Sequence, residues 1–515
     1  MTTTRTLSLI LLSILFLACD QSTYLVEESM PVNILPTPKQ ISQSEQVLVL
    51  SETSSILASD PSLLPLAQLF SDELQSLQGF QLKASLMSGQ SSDIIFKLDP
   101  SLNASQYEIA IEQEVILRGG SYQALVMAKS SLLQLAGTHA EALAFPVLQI
   151  QDKTETNYRG LMLDLARQWH TIETIKKTID LTAFYKINYL QLHFTDYQSY
   201  TLPSRQYPQL STPDRHYRFA ELMDLEAYSQ LRGVTIIPEI DVPGHSSPFV
   251  KSYPDIFALE DSARNPYIIN MGREAIYPAL DSLIGEVLSV FQATPYLHIG
   301  GDEAYLEGVI DDPSVQNYIQ THSLEEDAHE VYRHFLIRMN EIVKRYGKQM
   351  CVWEGFGPEG KVEIPKDIIV FEFESNRYLP NQLVEDGYTV VNTSWKPLYV
   401  VNQKKWSPQT IYKWNLYRWE NWWSKAPSFE PIQVEATPLI VGAQMCVWEQ
   451  KGALAIPSLR KRLPAMAERI WNVEQKLSYD DFMRRLEQTD EKLSLLIADD
   501  RQDSLLVGYD FVEPQ

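Results

Sequence analysis

A chain of 515 residues with 44% hydrophobic content is long enough for one large barrel and a smaller companion domain with a sizeable core. Its net charge of −23 argues against nucleic acid and anionic membrane surfaces as partners, because both need a basic footprint that displaces counterions. Three cysteines are too few for a disulfide framework, and Cys351 and Cys446 sit in apolar runs as small buried hydrophobes. Ten Trp and 26 Tyr exceed the needs of packing, and exposed aromatic faces commonly hold sugar rings.

The chain opens with Thr4-Arg5 and an apolar run from Leu7 to Ala18, too short to cross a bilayer but with the charge, apolar core and small residue of an export signal. Phe16-Leu17-Ala18-Cys19 resembles the end of a bacterial lipoprotein signal, which implies lipidation of Cys19 and an exported, lipid-anchored protein of the cell envelope. Residues 1–18 are then the signal and 19–31 a flexible tether. Residues 32–152 form a small α+β domain, with strands expected at 47–50, 94–98, 107–111 and 115–117 and helices at 63–77 and 121–135. It carries no catalytic constellation, and its expected role is support.

From Tyr158 the texture changes to apolar strands alternating with helices, the pattern of parallel βαβ units. Strands are expected at 160–165, 189–194, 234–240, 296–299, 349–353, 368–373, 389–393 and 439–447, with helices such as 172–185, 220–231, 276–291 and 330–346 between them. The eight predict a (β/α)8 barrel over 153–475, an α/β fold; no Gly-rich phosphate loop follows the first strand, which argues against an open doubly wound sheet. A polar helical tail, 476–515, is expected to pack on the outside.

Following each strand to its C-terminal end gives Asp164 and Arg167, His193 and Asp196, Glu239, Asp241 and His245, Asp302 and Glu303, Trp353 and Glu354, Glu372, Trp395 and Tyr399, and finally Trp448 and Glu449. Ionisable or large aromatic groups from nearly every strand converge on the rim where such barrels build active sites. The pair Asp302-Glu303 follows His298-Ile299-Gly300-Gly301, so two glycines turn the backbone just where two carboxylates meet. Their repulsion can hold one of them protonated near neutral pH. No His-x-His pair marks a metal site, and each of His193, His245 and His298 is expected to bond a carboxylate rather than a metal. No G-x-S-x-G elbow supports serine chemistry. Paired carboxylates, a rim Arg, a Tyr and several Trp fit glycoside hydrolysis.

The runs Arg159–Arg167, Pro238–His245, His298–Glu303 and Arg462–Trp471 closely resemble glycoside hydrolase family 20, the β-N-acetylhexosaminidases, over about residues 32–475. The resemblance implies a retaining, substrate-assisted reaction in which the 2-acetamido group attacks C1, with no cofactor and no metal. It implies Glu303 as general acid and base, Asp302 as the acetamide N–H acceptor, Tyr399 as donor to the acetamide oxygen, and His245, oriented by Asp196, as support for the acid. Arg167 is implied as the grip on the outer hydroxyls, with Trp353, Trp395 and Trp448 lining the sugar and acetamide pocket.

Three positions depart from the family pattern. Trp448 is followed by Glu449 and Gln450 where W-x-E is usual, so Gln450 is expected at the outer hydroxyls; Val401 stands two positions after Tyr399, where an Asp or Asn is common; and the sixth strand ends in Glu372-Phe373 without its tryptophan. These bear on sugar preference more than on reaction type. The expected partner is an oligosaccharide or glycoconjugate with a terminal N-acetylhexosamine, with membrane contact only through the lipid anchor. Two other readings are a surface glycan-binding protein on a degenerate hydrolase scaffold and a hydrolase specialised for 6-modified GlcNAc.

Overall fold

The structure, a computed structural model, describes residues 23–51, 53–86, 93–402, 404–474, 478–499 and 501. The signal-like run and Cys19 lie outside the described residues. Among those described, no helix is long and apolar enough to cross a membrane.

The first unit is a nine-stranded mixed sheet with two helices, Leu64–Gln78 and Tyr122–Leu135, against its apolar face. In the strand Gln106–Ile111, Tyr107, Ile109 and Ile111 are buried while their neighbours are half-buried, the period-2 signature of a sheet covered on one side. Its longest strand, Ala142–Lys153, was not expected. Pro146 interrupts the sequence pattern, and the sheet accommodates it opposite Val47, where the register shifts. The tether is also shorter than expected, because Tyr24–Val26 pairs antiparallel with Val47–Val49. Three residues are too few for periodicity to reveal, but Val26 packs on Val47, Val49 and Ala144.

The second unit is the expected barrel. Eight parallel strands run Tyr158–Asp164, Tyr189–His193, Thr235–Glu239, Tyr296–His298, Gln349–Trp353, Ile369–Glu372, Thr389–Asn392 and Ile440–Val447, and the first pairs with the last, Leu161 beside Met445, to close the cylinder. Both faces of these strands are buried. Met162, Ile237, Cys351, Phe371, Val391 and Cys446 fill the lumen, while the alternate residues Leu161, Leu163, Ile236 and Val352 face the surrounding helices. That two-sided burial is why the strands read as continuous apolar runs. A further three-residue strand, Tyr399–Val401, runs parallel to the last one with Tyr399 opposite Cys446.

The run Arg462–Trp471 is a helix, and its role is structural. Trp471 donates its indole N–H to Asp152 Oδ1 at 3.1 Å and lies under the Lys186 ammonium, 4.8 Å from its ring, tying the barrel to the first domain. The tail helix Tyr479–Leu496 does not lie simply on the outside. It bridges the seam between the domains: Phe482, Leu486 and Leu493 are buried, Arg485 Nη1 donates to Ile34 O at 3.0 Å, and Lys492 reaches Gln134 O.

Candidate active site

The fourth strand ends at His298, and the chain then turns through Gly300 and Gly301, both at positive φ (69° and 98°). This turn is held from several sides. Gly301 N–H donates to Asp241 Oδ1 at 3.1 Å, Tyr332 donates its hydroxyl to Gly301 O at 2.5 Å, and Trp353 N–H donates to Gly300 O at 2.8 Å. A side chain at Gly300 has no room, since a Cβ there lies 1.7 Å from Asp241 Oδ1. The turn delivers Asp302 buried and Glu303 outward, its side chain 47% exposed at a residue with φ 44°. Burial and then the Asp302 charge raise the Glu303 carboxyl above its ordinary pKa. Asp302 Oδ1 is buried with no hydrogen-bond partner.

His245 Nε2 lies 3.5 Å from Glu303 Oε2 and 3.7 Å from Asp302 Oδ2, and has no hydrogen-bond partner of its own. Its Nδ1 faces Asp196 Oδ1 at 3.1 Å, the orientation the sequence led us to expect. Burial disfavours the imidazolium, but Asp241, Asp196 and Asp302 outweigh it and raise His245 to about 10. Asp196, fully buried, also accepts from Arg167 Nη2 at 2.7 Å, from His193 Nε2 at 2.9 Å and from Tyr197 N–H at 2.5 Å. Burial opposes the Asp196 charge, yet these donors hold its carboxyl well below the usual range. Asp164 Oδ1 accepts from Arg167 N–H at 3.0 Å and its Oδ2 from Glu449 N–H at 3.1 Å, so the ends of the first and last strands are joined at Asp164.

An aromatic cage stands beside the carboxylates. Trp353 lies 5.9 Å from both Trp448 and Phe373, Tyr399 stacks on Trp395 at 4.8 Å, and Phe373 is parallel to Tyr399 at 6.1 Å. Phe373 thus occupies the wall where the sequence showed no tryptophan. Burial first, then the nearby Cys446 and Asp302, push the Tyr399 phenol well above its ordinary pKa and keep it a neutral donor. The Arg167 guanidinium sits 4.8 Å over the Trp448 ring.

One expected site residue does not reach the cleft. Gln450 is 0% exposed; its Nε2 donates to Asn402 Oδ1 at 3.0 Å and its Oε1 accepts from Ser458 at 3.2 Å. Glu449, at φ 57°, reverses the strand end, so that Glu449 is exposed and Gln450 is turned into the protein. Other groups were not singled out from sequence. Tyr197 stacks on His245 at 4.4 Å, and half-buried Glu374 is raised to about 7 by burial and by Glu303 and Asp302. The i, i+2 spacing of Glu372 and Glu374 could have flagged the latter.

His193, Glu239 and Asp241 bring ligand-type atoms within 4.8 Å of one another, as do Asp241, His245 and Asp302. Both nitrogens of His193 face carboxylates, Asp196 at 2.9 Å and Glu239 at 2.8 Å, so the donor set fits a shared proton better than a cation. His298 Nδ1 lies 3.3 Å from Glu239 Oε1, the carboxylate neighbour expected, and also accepts from Gly300 N–H at 3.0 Å.

The model of glycosyl hydrolase family 20, catalytic domain, matches residues 157–474, and that of the family's domain 2 matches 31–153. The chain belongs to glycosyl hydrolase family 20. Among its relatives, a β-hexosaminidase of Porphyromonas gingivalis is 24% identical over 93% of this chain and 66% of its own length. One of Vibrio furnissii is 26% identical over 83% and 74%. The chain therefore spans just under two thirds of the first relative and about three quarters of the second. In structure it resembles a family 20 exo-β-N-acetylglucosaminidase from Vibrio harveyi, solved with N-acetylglucosamine, with a TM-score of 0.77 and 25% identity over 91% of this chain and 78% of that one. A β-N-acetylhexosaminidase from Bacteroides fragilis shares the fold with a TM-score of 0.73, 23% identity and coverage of 88% and 94%.

Proposed function

We propose that this family 20 chain is an exo-acting β-N-acetylhexosaminidase that removes terminal β-linked GlcNAc or GalNAc with retention, using the substrate's acetamido group as nucleophile. The observation that carries the reading is the division of labour between two adjacent carboxylates. Glu303 is exposed and raised in pKa, as an acid requires, and Asp302 is buried with an open oxygen beside a cage that ends in a neutral tyrosine. The names of the Porphyromonas, Vibrio and Bacteroides relatives support the same substrate class.

In this mechanism the acetamide oxygen attacks C1 as the C1–O glycosidic bond breaks. Glu303 gives its proton to the leaving oxygen, Asp302 accepts the acetamide N–H and balances the oxazolinium charge, and Tyr399 donates to the acetamide oxygen. Water then attacks C1, Glu303 takes back a proton, and the ring reopens to the acetamide. His245 and the Asp196 network support Glu303, Arg167 grips the terminal sugar, and Trp353, Trp395, Phe373 and Trp448 enclose the acetamide and the ring. The inward turn of Gln450 removes an expected contact from the outer hydroxyls and favours, as a second reading, tolerance for a 6-modified sugar. We further propose that Cys19 is lipidated and holds the exported chain at a membrane.

The test is release of p-nitrophenol from the β-GlcNAc and β-GalNAc glycosides in the presence of EDTA, for the wild type and Glu303→Gln. Wild-type turnover that falls sharply in the variant supports the reading. A wild type inert on both, and on the 6-modified glycosides, overturns it.

A further inference from the structure

Glu239, at the end of the third strand, has no part in the reaction above, yet it is fully buried and ionised at the centre of a side-chain network. Its Oε1 accepts the indole N–H of Trp353 at 2.7 Å, and its Oε2 accepts from Gln191 Nε2 at 2.8 Å and faces His193 Nδ1 at 2.8 Å. We propose that Glu239 and His193 are a positioning pair that locks two of the three indoles of the acetamide cage, Trp353 and Trp448, and ties them, through Asp196, to the imidazole that supports the acid. The inference rests on reading Glu303 as the acid and the cage as the acetamide pocket.

The network runs as a line of alternating charge. Glu239 is followed by His193, His193 by Asp196 at 2.9 Å, and Asp196 by His245 at 3.1 Å, which faces Glu303 at 3.5 Å. Trp448 is held by the same line, with the His193 ring edge-on to it at 4.9 Å and the Asp196-bound Arg167 stacked at 4.8 Å. His193 is 0% exposed, and a buried cation persists only where it is paired on its open sides. The groups that face it are Glu239 at the end of the third strand, Asp241 just beyond it, Asp196 from its own loop and Trp448 just past the last strand; Arg167 shares Asp196 with it, and Gln191 shares Glu239. Burial opposes its charge, and Glu239 and Asp196 outweigh it, so its pKa is raised well above the ordinary value.

The test is Glu239→Gln, whose carbonyl can still accept the Trp353 N–H while the charge is gone. Ring NMR of His193, a readout independent of turnover, is expected to show an imidazolium throughout pH 5–8 in the wild type and loss of the proton inside that window in the variant. Kinetics on the p-nitrophenyl glycoside are expected to show a fall in kcat/KM of about 10- to 100-fold, the scale of a misplaced reacting group. Part of it should return at low pH, where His193 regains its proton. Glu239→Asp, which keeps the charge on a shorter stem, should restore the wild-type pH profile but not the full kcat/KM. Should Glu239→Gln fail to fold, Trp353→Phe removes the indole donor together with part of the ring; it should lower kcat/KM while His193 stays charged. Identical His193 titrations in wild type and Glu239→Gln, or parallel pH profiles with unchanged kcat/KM, would overturn the pair. A wild type with no turnover would overturn the functional reading and leave the NMR titration to judge the network.

Discussion

Gly300 and Gly347 make a matched pair for asking whether the glycine turn under the acid is required by sterics or only by backbone conformation. Both have φ 69°, but a Cβ at Gly347 meets nothing within 4 Å, whereas one at Gly300 lies 1.7 Å from Asp241 Oδ1, 2.1 Å from its Cγ and 2.7 Å from its Cα. The last contact is with main chain, so rotating the Asp241 side chain cannot relieve it. Alanine at either site carries the left-handed penalty of about 1–2 kcal/mol. At Gly300 overpacking adds about 1–3 kcal/mol, and the displaced turn carries Asp302 and Glu303 with it, where a shift of about 1 Å costs on the order of 10²-fold in rate. Urea unfolding and glycoside hydrolysis measure the two effects. Gly347→Ala should lose about 1–2 kcal/mol with wild-type kcat, and Gly300→Ala roughly twice that together with most of the activity. Equal unfolding midpoints, or a fully active Gly300→Ala, would refute the reasoning.

Removing the Asp302 charge in Asp302→Asn lowers the pKa of Glu303, whose protonated form is the acid, so the basic limb of the kcat/KM profile should move to lower pH as overall activity falls; an unmoved limb would exclude this coupling. Tyr305 is 56% exposed two residues beyond Glu303, and Tyr267 is 46% exposed against Tyr197, which stacks on His245. Tyr305→Ala should raise KM about 2- to 10-fold for N,N′-diacetylchitobiose but not for the methyl glycoside, and equal effects on both would remove Tyr305 from that contact. Gln450→Ala should cost about 1–3 kcal/mol of stability through the groups it leaves unpaired while kcat/KM stays within a few fold, and a large kcat/KM loss would return Gln450 to the sugar. Cys19→Ala should shift the protein from the membrane pellet to the soluble fraction, and an unchanged pellet would argue against lipidation.

What could be read from sequence follows from which interactions are local. The barrel strands were legible because burial on both faces turns each into a continuous apolar run, and His298-Ile-Gly-Gly-Asp-Glu303 was legible because the turn, the glycines it needs and the carboxylates it presents are neighbours in the chain. Side-chain direction at strand ends was not. Whether Glu449 or Gln450 faces the cleft depends on one residue at positive φ and on Asn402, nearly fifty positions away, as partner. The strand Tyr399–Val401 is too short for periodicity and forms only because the last barrel strand offers it an edge. The same limit hid the network behind the acid. His193, Asp196, Glu239 and His245 were each visible as strand-end residues, but a charge on a strand end is ordinary until its partner is known. Their alternation in sign emerges only when closure of the cylinder brings separate strands together. A polar line buried this deeply is costly unless every member is paired, so the fold can tolerate it only as a complete set, and loss of any single member should be damaging because it leaves its neighbour's charge buried and unpaired.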